Sequence, residues 1–354
     1  MDLNPVINVE NVSKSFIVGR SLGRNTFLGE AHWIISLIIR VLKEGRILRA
    51  LKDINLNVNG GELCCILGPN GSGKSTLLKI IAGMIEPDKG NVRVYGFNPI
   101  TERSKVLDKI FFYSSSQRYS LDYSLTVRDQ IEFYLKMLGR SASILDEKAQ
   151  LCIKFLDLER YLKTPIRFLS SGYRQRVSLT RLLLTEKELI LLDEPTLGLD
   201  PTLNRRLILF LKKLNKEKNA TIIIATNRVH LVEELEPDKV FILSKGELIA
   251  EGSPSYLISL IRDKYVIKIE VANVNKNVIR EIKSLDGISD VSIKMISNNR
   301  FEIAIFTNTR EIFKEVYDFV VAKGLHIQDM YLIEPSFEDV YLKLTGGDFY
   351  FEQF

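Results

Sequence analysis

The sequence predicts an α/β domain over residues 1–252, followed by a small ferredoxin-like α+β domain over residues 264–346. Three observations carry this. Up to Gly252, apolar strand-length runs alternate with helix-period segments, the order that builds a sheet covered by helices. One of those runs, Leu63-Cys64-Cys65-Ile66-Leu67, opens into the glycine-rich stretch Gly68-Pro69-Asn70-Gly71-Ser72-Gly73-Lys74-Ser75-Thr76, and this into the helical Leu77-Leu78-Lys79-Ile80-Ile81. After residue 264 the elements run strand, helix, strand, strand, helix, strand, the order of a split βαβ sandwich.

Bulk properties narrow the function without naming it. A chain of 354 residues favours two or three domains. Its formal net charge of +5 is mild, so it permits an anionic ligand or a membrane surface and requires neither. The three cysteines, Cys64, Cys65 and Cys152, lie in apolar strand and helix patterns. They read as buried reduced thiols of a cytosolic protein and exclude a disulfide framework. No basic stretch followed by an apolar one marks a secretory signal, and no window has the apolar length of a membrane span. Any membrane role is therefore expected to come through a partner or through surface contact.

Taken in order, residues 6–12 read as a strand and Phe16 follows. An insert then spans about 18–49, with an amphipathic helix expected within about 20–48. Trp33, Ile34, Ile35, Leu37, Ile38, Ile39, Val41 and Leu42 give that helix a wide apolar face, and His32, Ser36, Arg40 and Lys43 a narrow polar stripe. Two readings stand: a core-packing helix, or one set against a membrane partner or the lipid interface, where Arg40, Lys43, Arg46 and Arg49 suit anionic headgroups. Residues 50–58 alternate as a strand and Gly60-Gly61 turns the chain. After the glycine-rich unit, Pro87-Asp88-Lys89-Gly90 is a turn, 91–95 a strand, and 109–113 a strand ending at Ser114-Ser115-Ser116-Gln117. Residues from about 124 to 169 have helical period, broken near Gly139, within a helical subdomain of about 118–172. Ser170-Ser171-Gly172 opens a helix to Leu184. Residues 189–192 and 221–225 are buried strands, and 240–243 pairs with 248–250 as a hairpin. In the second domain 265–271, 291–295, 301–305 and 327–333 are strands. Residues 278–285 are a helix. Asn308 and Glu311 have the spacing of a capping box for a second helix ending at Gly324, and 335–344 is a terminal helix.

The glycine-rich stretch fits the phosphate-binding loop pattern, and its strand and helix flanks are the context that pattern requires. Glycines let the backbone N–H groups of 68–73 turn inward toward one anion. The helix N-terminus adds its partial positive charge. Lys74 can reach the β- and γ-phosphates, and the Ser75 hydroxyl can hold Mg²⁺. Further on, the apolar run Leu189-Ile190-Leu191-Leu192 delivers two carboxylates, Asp193 and Glu194. Asp193 is placed to bind Mg²⁺, directly or through water. Glu194 is placed to polarise the water that attacks a γ-phosphate.

Over roughly residues 6–252 the chain resembles the ATP-binding-cassette (ABC) transporter ATPases, which have a P-loop NTPase (RecA-like) core. The resemblance makes Gly68 to Thr76 the Walker A loop and Leu189 to Glu194 the Walker B strand. Leu169-Ser170-Ser171-Gly172-Tyr173 stands where the family has its LSGGQ signature; Ser170 and Gly172 are kept, whereas Ser171 replaces a glycine and Tyr173 the glutamine. The resemblance implies that Ser170 and Gly172 contact the γ-phosphate across a dimer, that Gln117 is the Q-loop glutamine at the metal and the attacking water, and that Asp200, in Gly198-Leu199-Asp200, belongs to the D-loop. It makes Phe16 the aromatic that stacks on adenine. Asn227 occupies the place of the family's switch histidine, which implies slow hydrolysis; His230 lies one helical turn later.

The C-terminal part, with its closing motif Pro335-Ser336-Phe337-Glu338-Asp339-Val340-Tyr341-Leu342-Lys343-Leu344-Thr345-Gly346, resembles the accessory domain of ABC-2-type exporters of the drug-resistance kind. The insert, with Leu22-Gly23 and Leu28-Gly29, resembles that of polysaccharide-export ATPases. What this implies is an ATP- and Mg²⁺-dependent ATPase subunit of an ABC-2-type exporter at the cytoplasmic face of the cell membrane. It would pair as a homodimer or heterodimer and work with a separate transmembrane permease subunit, with no nucleic-acid partner. Two other readings stay open: an ATP-binding regulatory subunit with little hydrolysis, and a soluble ABC ATPase outside transport. The cargo, whether polysaccharide, lipid or drug, is not written in these residues.

Overall fold

The computed structural model describes residues 5–18, 46–115, 121–139, 146–261, 263–272, 274, 276–297 and 300–345. The helix expected around Trp33 and the glutamine Gln117 lie outside the described residues. The chain forms two compact units. One comprises residues 1–66, 70–226 and 245–247; the other comprises 67–69, 227–244 and 248–354.

In the first unit, β1 (Ile7–Val18) pairs antiparallel with β2 (Arg46–Val58). The second strand begins four residues before Ala50, so Arg46 to Arg49, read in sequence as insert, continue the ladder opposite 15–18. β3 (Leu63–Leu67) leads through the glycine-rich loop into α1 (Lys74–Ile81). β4 (Lys89–Val94) returns to the far side of β1, giving the order β2-β1-β4. Then follow α2 (Arg103–Leu107), β5 (Ile110–Ser114), α3 (Val127–Met137), α4 (Glu147–Phe155), α5 (Ser171–Leu184), β6 (Leu189–Asp193), α6 (Pro201–Lys218) and β7 (Thr221–Thr226). The strands β5, β6, β7 and β3 lie side by side in that order, and β5–β6 and β6–β7 are parallel. β3, β6 and β7 are buried along their whole length. That is why they read as unbroken apolar runs: helices cover both faces of such a sheet. The helical period seen over residues 124–169 resolves into α3, α4 and two short 3₁₀ turns at Glu159–Tyr161 and Ile166–Phe168. α3 starts at a capping box in which Thr126 and Asp129 exchange side-chain-to-backbone bonds.

The second unit holds α7 (Val229–Leu235), β8 (Lys239–Ser244), β9 (Glu247–Gly252), α8 (Pro254–Ser259), β10 (Tyr265–Ala272), α9 (Lys276–Lys283), β11 (Ile288–Ser297), β12 (Arg300–Thr307), α10 (Ile312–Ala322), β13 (Ile327–Ile333) and α11 (Phe337–Thr345). The antiparallel sheet β11-β12-β10-β13 is the ferredoxin-like arrangement expected from the element order. Ile267, Ile269 and Val271 of β10 pack with Val278 and Ile282 of α9 and Val316 and Val320 of α10. Alternate residues face the other way. Among them Lys268, almost fully buried, pairs with Asp339 of α11 at 3.0 Å and Glu302 of β12 at 3.7 Å. Asp339 also closes a capping box with Ser336. α11 packs against β11 and also against α7 and α8.

One expected local feature is corrected. Asn308 and Glu311 do not form a capping box: Glu311 is itself the N-cap of α10 and makes no side-chain cap bond. The Asn308 carboxamide instead accepts the Lys264 N–H at 3.1 Å. The longer-range bond wins because it satisfies the backbone at the entry to β10.

Candidate nucleotide site

The loop after β3 is built for close approach. Gly73 caps α1 in the left-handed region (φ 106°), and a Cβ there would lie 2.4 Å from the Ala50 carbonyl oxygen. Only glycine fits. Gly71 also has positive φ (80°), but a Cβ there would meet nothing within 4 Å, so its side of the loop is open. Gly68 and Pro69 are buried, Asn70 and Gly71 are exposed, and Ser75 and Thr76 are half-buried on the first turn of α1. The buried Ser72 hydroxyl has no hydrogen-bond partner among the described residues. A buried hydroxyl without a partner costs free energy, and a ligand oxygen entering the loop would relieve that.

Lys74, 5% exposed, heads α1. Burial lowers its pKa from the ordinary lysine range, and the Glu194 and Asp193 carboxylates oppose that shift. A buried ammonium at the positive end of a helix is an unfavourable placement that an anion would offset. Beside it the Ser75 Oγ donates to Asp193 Oδ1 at 2.8 Å. The Ser114 Oγ donates to Asp193 Oδ2 at 2.9 Å. The next residue, Glu194, stands at φ 49°, a conformation costly for a non-glycine residue and concentrated at functional sites. Its N–H donates to the Ala225 carbonyl at 2.9 Å, and its Oε2 accepts the Thr226 hydroxyl at 3.2 Å. The strand order thus brings Lys74, Ser75, Asp193 and Glu194 together at the carboxyl ends of parallel strands, where open α/β sheets place ligands.

The donor set fits Mg²⁺. A hydroxyl and a carboxylate oxygen converge, and Mg²⁺ is commonly held by one or two protein oxygens with phosphate and water completing its shell. Among the described residues no group of three or more His, Cys, Asp or Glu side chains could hold a metal, so a cation here would draw on phosphate oxygens.

A second constellation surrounds the start of α5. Ser170 is the N-cap, its hydroxyl accepting the Tyr173 N–H at 3.4 Å. A Cβ on Gly172 would lie 3.8 Å from the Gly198 carbonyl. Asp200 caps α6 by accepting the Leu203 N–H at 3.0 Å. Arg176, one helical turn beyond Tyr173, forks between Asp200 (2.6 Å) and Asp157 (2.7 Å). The Tyr173 ring lies 4.2 Å from that of Tyr161 and beneath the Arg176 guanidinium. Phe16 is half-buried in β1 opposite Leu48. Next to it, Asp88 accepts from the Lys14 ammonium and the Ser15 N–H, both at 2.6 Å. In the second unit, Asn227 is exposed just before α7, and His230 is exposed on that helix.

Comparison with known proteins decides the family. The pattern described as "ABC transporter" matches residues 51–197. Nod factor export ATP-binding protein I of Rhizobium sp. (strain N33) is 31% identical over 302 residues, spanning 84% of this chain and 92% of that protein. The chain belongs to the ABC transporter ATP-binding proteins. The linearmycin resistance ATP-binding protein of Bacillus subtilis is 29% identical over 301 residues, 84% of this chain and 93% of its own. Two solved structures of a dimeric ATP-binding cassette share the fold. One is a post-hydrolysis state bound to ADP and Pi (28% identity, TM-score 0.55), and the other has TM-score 0.56 at the same identity. Each match covers 70% of this chain and 98% of the cassette. The P-loop ABC fold and ATP binding are therefore properties of this chain as a family member.

Sequence reasoning missed three polar residues at these sites: Ser114, Thr226 and Arg176. The first two depend on the register of parallel strands, which no short-range pattern encodes. Arg176 had a weak signal, a basic residue in the first turns of the helix that Ser170 caps.

Proposed function

We propose that this chain is the ATP-hydrolysing subunit of an ABC-2-type exporter, acting with a separate transmembrane permease subunit at the cytoplasmic face of the membrane. The observation that carries ATP hydrolysis is the convergence of Lys74, Ser75, Asp193 and Glu194. In this reading the loop N–H groups of 68–73 and the Lys74 ammonium hold the β- and γ-phosphates, Ser75 and Asp193 hold Mg²⁺, and Phe16 stacks on adenine. Bound Mg²⁺ supplies charge neutralisation at the phosphates. The Glu194 carboxylate, oriented by Thr226 and by its strained backbone, accepts the proton of the attacking water. Gln117 and Asn227 would orient that water and the γ-phosphate. Ser170, Gly172 and Asp200 serve a second copy of the subunit, or a homologous one, across a head-to-tail dimer.

Support for export comes from relatives named for linearmycin resistance and Nod factor export, matched over more than nine-tenths of their length. No described helix is long and apolar enough to cross a membrane, and a separate permease would supply that part. Asn227 keeps a regulatory, weakly hydrolysing subunit as the second reading. Titrating ATP onto the Lys74→Ala variant tests the binding assignment. Losing a charge-assisted bond to phosphate should weaken binding roughly a hundredfold; parent-like affinity would place the phosphates elsewhere.

A further inference from the structure

We infer that Ser114 is a positioning residue for the metal carboxylate, fixing the plane of Asp193 for the cation. This rests on the reading of Ser75 and Asp193 as the Mg²⁺-holding pair. β5 and β6 are parallel, and their register sets Ser114 directly beside Asp193. In neighbouring parallel strands, paired residues project to the same face. Both are nearly fully buried, Ser114 at 2% and Asp193 at 4% exposure. The Ser115 N–H donates to the Asp193 carbonyl at 3.0 Å, so the backbone junction under the carboxylate is pinned as well.

The two carboxylate oxygens are held differently. Oδ1 takes its 2.8 Å bond from Ser75, whose hydroxyl belongs to the loop–helix junction and is itself a metal donor in this reading. Oδ2 takes its 2.9 Å bond from Ser114, whose hydroxyl belongs to a strand. Were Ser75 and Asp193 to hold a cation, the first bond would give way to it and the Ser114 bond would stay. Ser114 then acts as a fixed stop against rotation of the carboxylate about its terminal torsion, which is broad and roughly two-fold when unconstrained. Groups that hold a metal-ligating carboxylate from behind typically contribute 10–100-fold to metal affinity.

The experiment uses Mn²⁺ as a paramagnetic probe. Mn²⁺ retention by the full chain is followed by electron paramagnetic resonance at saturating adenosine (β,γ-imido)triphosphate. Affinity for the same nucleotide is measured separately in EDTA. Ser114→Ala should weaken Mn²⁺ retention by roughly 10–100-fold and leave the EDTA affinity at the parent value. Ser114→Cys, which keeps a weaker donor in nearly the same volume, should fall between parent and alanine, and carries the test if the alanine variant fails to fold. Parent-like Mn²⁺ retention in Ser114→Ala would overturn the role of Ser114. So would an equal loss in EDTA, the mark of a plain packing residue. If the parent itself bound the nucleotide but retained no Mn²⁺, the reading of Ser75 and Asp193 would fall first, and this inference with it.

Discussion

Glu194 and Asn227 are the residues on which turnover rests in the proposed function. The Glu194 carboxylate is held by Thr226, and its backbone sits at φ 49°. Such a conformation costs on the order of 1–3 kcal/mol and persists where the surroundings over-determine it; here the Ala225 carbonyl accepts its N–H. In that reading Asn227 stands where the family has a histidine and differs from it in reach and in charge: a carboxamide has two N–H donors and an acceptor oxygen but takes up neither a proton nor a positive charge. Charge gathers on the γ-phosphate in the transition state, so a weaker donor there slows chemistry more than binding. Asn227→His is expected to raise the steady-state ATPase rate by roughly ten- to a hundredfold with ATP affinity unchanged. Rates measured on the subunit alone and with the proposed permease check this. Equal rates in parent and variant would assign the switch to another residue.

Among the elements, α5, the signature helix in the proposed function, is tied to its neighbours by Arg176. That guanidinium bonds Asp157, which Arg206 also holds at 3.0 Å, and Asp200, the N-cap of α6. Tyr173, which in that reading stands where the family has glutamine, packs on Tyr161. The aromatic contact and the fork tie α5, the N-cap of α6 and the turn after α4 to one another. Arg176→Met should lower kcat roughly tenfold, an expectation scaled to losing one charge-assisted contact, with KM for ATP nearly unchanged. Arg176→Lys should restore only part, since a single ammonium cannot reproduce the planar fork. A variant losing KM and kcat together would show that Arg176 supports the fold as a whole.

Across the whole molecule, what was legible followed from local pattern. The buried runs 63–67 and 189–193 announced central strands, and the loop between Gly68 and Thr76 announced a phosphate site, because each motif is contiguous. The ferredoxin-like sheet was legible in the alternation of Ile267, Ile269 and Val271 with Lys268 and Glu270. What escaped involves partners far apart in sequence: Ser114 with Asp193, Thr226 with Glu194, and Lys268 with Asp339. Compactness likewise divides the chain by contacts that no composition shift marks. The α/β pattern ends at Gly252, yet α7, which follows Asn227, shares a unit with the ferredoxin-like sheet, and α11 packs on it. Asn308 shows the converse, a local signal overridden by a bond to Lys264.

The central claim, that Glu194 drives ATP turnover at a site built from Lys74, Ser75 and Asp193 and completed by a second subunit, is tested most directly by the Glu194→Gln variant. ATPase rate and mass in solution are measured with Mg²⁺ and ATP. The expected result is ATP affinity equal to the parent, turnover lowered at least about a hundredfold, and an ATP-dependent dimer that persists. Hydrolysis at the parent rate, with no dimer trapped by ATP, would contradict it.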